Sequence, residues 1–406
     1  MTNSKVILSG KGVTKVFGFG AHKTVAVDHV DFSFRQGEVI SIVGESGSGK
    51  TTLAKMLLGL TNLTEGEIYF DGQLRDIRST KRKREYWKNI QAIFQDPFSA
   101  YNIFRKIDAV LLDCIRMRGG AKLPYEQKVE LMREACKFVN LKFDELTNKY
   151  PFELSGGQKQ RTSLAGVMID DVNILLFDEP LANLDPATGK TAIEIIDDIH
   201  KKSYKTVVII EHRLEDVLHR SVDRVILIND GRIIADLNPH DLVSSPLLTE
   251  NGIREPLYVT ALKYAGVKVS SKMLPGYITT LNADAVRESL TKWYDSIQFE
   301  TRENSNPSIL KMEDISFSYD GSRSILNDIN IEVHNGEMIS IVGRNGAGKS
   351  TLSKLLCGFE REDRGVIFYR SEDIRRFSIK ERAEIIGLVM QNPNQMISKP
   401  MIYDEI

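Results

Sequence analysis

The chain has 406 residues, of which 42% are hydrophobic and 27% charged, so wholesale disorder is excluded and two or three domains are expected. Lys and Arg total 54 against 55 Asp and Glu; the net charge of -1 argues against a general nucleic-acid coat or a basic membrane-surface protein. Three cysteines (Cys114, Cys136 and Cys357) are too few for a disulfide framework and lack metal-ligand spacing. Met1–Val6 does not read as a signal peptide, and no apolar run reaches the ~18 residues needed to cross a bilayer. The expectation is a protein of the reducing cytoplasm, with any membrane role exercised through a partner.

In chain order, Val39–Val43 is an apolar run ending at Gly44 and is predicted to be a buried parallel strand. Helical character follows over Thr51–Leu60. The basic run Lys81–Arg84 reads as a solvated loop. Between Gln95 and Pro151 the pattern turns helical, most clearly over Glu126–Lys142, which points to an inserted helical subdomain. A further helix is expected over Lys159–Ile169. Ile174–Phe177 and Thr206–Ile210 are further buried strands. Between them Asp185 is a candidate N-cap and Pro186 a first helical residue, for a helix reaching about His200. Strands alternating with helices predict a mostly parallel sheet. Arg224–Ile228 and Arg232–Ile234, joined by Asn229-Asp230-Gly231, read as a hairpin. Glu255–Gly266 and Ala283–Ile297 are short helix candidates, and Glu300–Pro307 is linker-like.

An internal repeat organises all of this. Gly37–Gly59 (GEVISIVGESGSGKTTLAKMLLG) and Gly336–Gly358 (GEMISIVGRNGAGKSTLSKLLCG) share fifteen of 23 positions at an offset of 299. The expected domains are residues 1–243, a linker or small docking domain over 244–307, and a second copy over 308–406. With 99 residues against roughly 240 in the first copy, the second is expected to be incomplete.

Gly44-Glu-Ser-Gly-Ser-Gly-Lys50-Thr51 matches G-x-x-x-x-G-K-[ST] between a predicted strand and helix, the context of a phosphate-binding loop. Glycines let backbone N–H groups converge on phosphate oxygens, and the helix start adds a favourable dipole. The candidate ATP contacts are Gly44, Ser46, Gly47, Gly49, Lys50, Thr51 and Thr52. Their second-copy counterparts are Gly343, Asn345, Gly346, Gly348, Lys349, Ser350 and Thr351. Lys50 supplies a point charge to the phosphates and Thr51 a hydroxyl to Mg²⁺. Ile174–Glu179 is an apolar strand ending in two carboxylates. Asp178 suits the Mg²⁺ shell, and Glu179 the orientation or activation of the attacking water. Gln95 and Gln391 occupy equivalent places in the two copies and, with Ser350, complete the candidate metal set.

Together with Leu154-Ser-Gly-Gly-Gln158, Ala182-Asn-Leu-Asp185 and Glu211-His212-Arg213, these motifs resemble the nucleotide-binding subunits of ABC transporters, over about five-sixths of the chain. The resemblance implies an α/β P-loop ATPase of the ABC type. Its mostly parallel core sheet would carry an antiparallel β subdomain and an inserted helical subdomain. It implies that Ser155, Gly156, Gly157 and Gln158 contact the γ-phosphate of ATP held by an opposing copy, supplied in cis or in trans. It also makes His212 a switch histidine, Asp185 the loop aspartate linking two sites, and Phe17 and Tyr319 the aromatics that stack on adenine. The implied cofactors are ATP and Mg²⁺. The implied partners are integral membrane transport subunits, with the chain peripheral on the cytoplasmic face of the membrane. A membrane subunit is expected to dock just after Gln95, at Phe98, Tyr101 or Phe104.

Within that family, Glu211–Leu218 and Gln391–Gln395 look like the duplicated ATPases of energy-coupling-factor importers, associated with vitamins including thiamine precursors. Arg254–Gly266 resembles the extra segment of that duplicated type. Gln95–Tyr101 also resembles ATPases of peptide and nickel importers. A soluble tandem ATPase acting on ribosomes or nucleic acid is the alternative. It is disfavoured by a linker that is neither basic nor highly charged and by Leu181-Ala-Asn-Leu-Asp185 after the carboxylates, so no nucleic-acid partner is expected.

Overall fold

The computed structural model describes residues 4–94, 102, 104–117, 119–154, 156–169, 172–182, 186–282, 284, 286–298, 306–321 and 324–390. It divides into two compact units, 1–298 and 299–406.

In the first unit an antiparallel sheet is built from β1 (Val6–Phe17), β2 (Thr24–Arg35), β4 (Glu65–Phe70) and β5 (Gln73–Leu74), in the order β2-β1-β4-β5. A second sheet contains β3 (Val39–Val43), β6 (Ile90–Ile93), β7 (Ile174–Asp178), β8 (Thr206–Glu211), β9 (Arg224–Asn229) and β10 (Arg232–Leu237). Its order is β10-β9-β3-β8-β7-β6, parallel except for the β9-β10 hairpin. The largely apolar runs of β3, β7 and β8, broken in β3 only by Ser41, follow from burial on both faces. Ile40, Ile42, Ile174 and Leu176 face a core shared with the antiparallel sheet and α1 (Lys50–Leu57). Val39, Val43, Leu175 and Phe177 face a second core on the opposite side.

That second core is closed by helices. After α2 (Thr80–Trp87), the segment between β6 and β7 carries α3 (Ile107–Met117), α4 (Tyr125–Phe138), α5 (Phe143–Leu146) and α6 (Gly156–Met168), which is the expected helical insertion. Next come α7 (Pro186–Ser203) and α8 (Leu214–Val217). The basic run 81–84 lies on α2, not in a loop, because Ser79 caps the helix by accepting from Arg82 N. Helix α6 starts at Gly156, within the glycine motif and three residues before its expected start.

Residues 245–298 pack within the first unit through α10 (Leu247–Glu250), α11 (Leu257–Tyr264) and α12 (Arg287–Ser296), after α9 (Pro239–Ser244). Tyr277 Oη donates to Val222 O at 2.8 Å and accepts from Val222 N at 3.0 Å. Glu215 Oε2 accepts from Leu257 N at 3.2 Å, tying α8 to the start of α11.

The second unit repeats the antiparallel sheet with β11 (Ser308–Ser318), β12 (Ser324–His334), β13 (Arg364–Tyr369) and β14 (Glu372–Asp373), in the order β12-β11-β13-β14. Met312, Ile315, Leu352, Leu355 and Ile367 form its core, which α13 (Lys349–Leu356) covers; α14 (Ile379–Ala383) follows. In both units an arginine caps the end of the helix after the glycine loop. Arg75 Nη1 donates to Met56 O and Leu57 O; Arg382 Nη1 donates to Leu355 O and Leu356 O, at 2.6 and 3.2 Å.

Candidate functional site

The loop from Gly44 to Gly49 joins β3 to α1, so its backbone is aimed by the central strand of the parallel sheet. Gly47 and Gly49 have φ of 84° and 100°. At Gly49 a side chain is also excluded by space, since a Cβ there would lie 2.1 Å from Ala26 O. This geometry presents the N–H groups at the start of α1 to one point, an anion cradle. Lys50 folds back over the loop: Nζ donates to Gly44 O at 2.9 Å and Glu45 O at 2.6 Å, and lies 3.4 Å from Ser48 Oγ. Burial lowers its pKa; the carboxylates of Glu179, Asp178, Glu211 and Glu45 oppose that. Ser46 is exposed and Thr52 half-buried, both on the loop-to-helix entry.

The parallel sheet brings the carboxylates to the same end. Asp178 is the last residue of β7 and is buried; Thr51 Oγ1 donates to its Oδ1 at 3.2 Å. Burial pushes the Asp178 carboxyl up to about 6, opposed chiefly by the Thr51 hydrogen bond. Glu179 follows with φ of 51°, a left-handed conformation that costs a non-glycine residue on the order of 1–3 kcal/mol. Its N–H donates to Ile210 O at 2.9 Å, so the bend is held by β8. Among the described residues no three His, Cys, Asp or Glu side chains group as a metal site. Thr51 Oγ1 and Asp178 Oδ1 form a pair of hard oxygen donors that could hold a divalent cation.

Glu211 ends β8 beside Glu179 and is fully buried. Its Oε1 accepts from Leu181 N at 2.9 Å. Burial pushes this carboxyl up to about 7, resisted by N–H donors from Leu181 and His212 and by the Arg213 charge; Glu179 adds to the rise. His212 is next, its Nδ1 3.6 Å from Glu211 Oε2. The structure thus gathers Lys50, Thr51, Asp178, Glu179 and His212 around one loop. To the sequence-derived set it adds Glu211, which the motif contained without a role. The only sequence signal was a carboxylate closing an otherwise apolar strand.

Gly156, Gly157 and Gln158 open α6, where Gly157 O accepts from Arg161 Nε at 3.2 Å and Gln158 O from Thr162 Oγ1 at 2.8 Å. A Cβ on Gly157 would sit 3.2 Å from Thr188 Cγ2, so this helix start packs beside α7. Phe17 is exposed, with Lys15 Nζ 5.0 Å from its ring centroid. Phe104 is exposed too. Gln95, Phe98, Tyr101, Ser155, Asp185 and Gln391 lie outside the described residues.

In the second unit Gly346 and Gly348 have φ of 82° and 91°, and Lys349 Nζ donates to Gly343 O at 2.7 Å and Arg344 O at 2.8 Å. Asn345 and Ser350 are exposed and Thr351 is buried. Tyr319 is exposed at the same helix, its Oη 3.4 Å from Thr351 Oγ1.

Residues 27–182 and 326–403 match the family described as ABC transporter, and 245–317 match that described as ATP-binding cassette cobalt transporter. A protein of Clostridium perfringens named as an ABC transporter ATP-binding protein is 44% identical over 407 residues, covering 98% of this chain and 70% of the relative. One of Photobacterium profundum is 42% identical over 399 residues, covering 96% of this chain and 68% of the relative. Among solved structures, the cbiO1 cassette of Clostridium perfringens, described as part of the ABC transporter complex cbiONQ, aligns at a TM-score of 0.53 and 26% identity. That alignment covers 64% of this chain and 99% of cbiO1. A dimeric ATP-binding cassette in a post-hydrolysis state, bound to ADP and phosphate, aligns at 0.52 and 26% identity, covering 57% of this chain and 98% of that one.

Proposed function

The chain belongs to the ATP-binding subunits of ABC transporters, and from that premise we propose that it powers an importer of the energy-coupling-factor type, with its complete carboxylate machinery at the Lys50 loop. The single observation carrying this is the convergence of Lys50, Thr51, Asp178, Glu179 and His212 at one end of one parallel sheet. The cofactor assignment adds Mg²⁺ to ATP, held through Thr51, Asp178 and Gln95, and at the second loop through Ser350 and Gln391. Bound Mg²⁺ supplies charge neutralisation at the β- and γ-phosphates.

Lys50 Nζ exchanges its carbonyl acceptors for phosphate oxygens. Glu179, turned out of the strand by its left-handed backbone, accepts the proton side of the attacking water and orients it. His212 faces the γ-phosphate as a donor. Ser155–Gln158 engage nucleotide on an opposing cassette in cis or in trans, and Asp185 links the two sites. Phe17 and Tyr319 stack on adenine. The membrane partners are integral transport subunits, with the chain peripheral on the cytoplasmic face. No helix among the described residues is long and apolar enough to cross a membrane.

The cargo is a small nutrient. The match of residues 245–317 favours cobalt, and the resemblance of Glu211–Leu218 to duplicated importer ATPases favours a vitamin. Copurification with membrane subunits, reconstitution, and ATP-dependent uptake of labelled cobalt against labelled thiamine tests the reading. Uptake of one confirms the class and names the cargo; membrane subunits that never copurify, with recovery on ribosomes instead, overturn it.

A further inference from the structure

Glu211 has no part in the scheme above, yet its placement is costly. The residue is 0% exposed, and Oε2 has no hydrogen-bond partner among the described residues. A buried polar oxygen without a partner carries the full desolvation penalty of the group. The facing donor or acceptor is His212 Nδ1, at 3.6 Å, a few tenths of an ångström beyond a hydrogen bond. The imidazole is 45% exposed, so a small ring rotation closes the gap. The other oxygen, Oε1, is fixed by Leu181 N, two residues after Glu179, so the carboxyl cannot swing away without freeing that amide.

We propose that Glu211 is a positioning residue: it shares one proton with His212 Nδ1, so that Nε2 always carries hydrogen and faces the γ-phosphate as a donor. The proposal rests on the switch-histidine reading of His212. Two proton placements satisfy it. In one, a neutral carboxyl donates to Nδ1 of a neutral ring protonated at Nε2. In the other, a carboxylate accepts from Nδ1 of an imidazolium, which also holds hydrogen on Nε2. Both leave the pair without net charge. The excluded arrangement is a carboxylate accepting from Nδ1 of a neutral ring. It would bare the Nε2 lone pair toward phosphate and leave a net negative charge in a buried place beside Glu179.

The charged groups acting on Glu211 are Glu179 after β7, Lys50 at the start of α1, and Arg213 before α8. Burial pushes the Glu211 carboxyl up to about 7, so below that pH a proton is there to be shared.

The test is the tautomer of His212, read by ¹⁵N chemical shifts in the full chain labelled at its seven histidines. The His212 signals are those missing from His212→Ala. In the wild type Nε2 should be protonated throughout the neutral range. Glu211→Gln should keep this state, since its amide can donate to Nδ1 while its carbonyl accepts from Leu181 N. Glu211→Leu should give mixed tautomers and lower kcat for ATP hydrolysis on the order of 10-fold, with ATP affinity retained. Mixed tautomers already present in the wild type overturn the proposal without any variant. Identical His212 shifts in wild type and Glu211→Leu overturn it as well, and leave Glu211 as a brace for Leu181. Wild-type hydrolysis by His212→Ala sinks the switch reading instead, a result distinguishable because the spectra judge the pairing independently.

Discussion

Ile42 and Ile341 stand at the same place in the repeat, two residues before the first glycine of each phosphate loop, and the fold treats them differently. Ile42 is 0% exposed in a strand paired on both sides, with β8 and β9; Ile341 is 48% exposed in a segment that joins no described strand. The two glycine loops that follow are nevertheless alike. Their glycines share the left-handed conformation, and each lysine reaches back to the carbonyls five and six residues before it. The loop is thus a local structure, set by glycine freedom and a helix start. The carboxylate surroundings of the first loop are non-local. Asp178, Glu179 and His212 reach Lys50 only because β8 pairs with β3 and β7 with β8.

This contrast can be broken from both ends. The largest effect is expected at Glu179. Glu179→Gln keeps the phosphate cradle and should slow hydrolysis by about 10²–10⁴-fold with nucleotide binding preserved, measured by steady-state ATPase and fluorescent-nucleotide titration. An unchanged rate would remove Glu179 from the reaction. Next comes a pair of lysine variants. Lys50→Ala should weaken ATP binding on the order of 10-fold or more at the first loop, through loss of a charge-assisted contact. Lys349→Ala should act on the second loop alone, so hydrolysis at the Lys50 site survives it. Equal losses of hydrolysis in the two variants would mean that the loops do not work separately.

The packing side of the comparison is sharpened by Ile42→Ala and Ile341→Ala. The first should cost about 2–5 kcal/mol as a fully buried large-to-small change, the second within about 0.5 kcal/mol. Denaturant unfolding measures both, and hydrogen exchange should show Ile40–Val43 amides protected and Ile339–Val342 amides open.

The smallest effect is a slope. Glu211 titrates near 7 in the folded chain against an ordinary 4.5, so the folded state holds the proton more tightly than the unfolded one. Its contribution to stability is full below the ordinary value and is lost as pH rises toward about 7. Glu211→Gln should flatten that fall between the two values. A stability profile of unchanged slope would show the carboxyl to be ionised throughout.

The residues themselves announced the repeat, both phosphate loops, the buried strands around Val39, Leu175 and Val208, and the tandem carboxylates. Such features depend on short-range order: glycine spacing, apolar runs and a strand that turns into a helix. Helix ends were less legible. The run 81–84 became a helix because of one serine cap. Helix α6 began inside its glycine motif.

Tertiary structure decided the rest. It paired Thr51 with Asp178 across 127 residues of chain and bent Glu179 out of its strand against Ile210. It fastened residues 245–298 to the helix after His212 through Leu257, and to Val222 before β9 through Tyr277. It also buried Glu211 with one oxygen unpartnered among the described residues. Sequence spells out contacts that lie within a turn or two of the chain. A carboxylate acquires its proton affinity from whatever packs around it, and here the packing partners come from strands and helices distant in sequence.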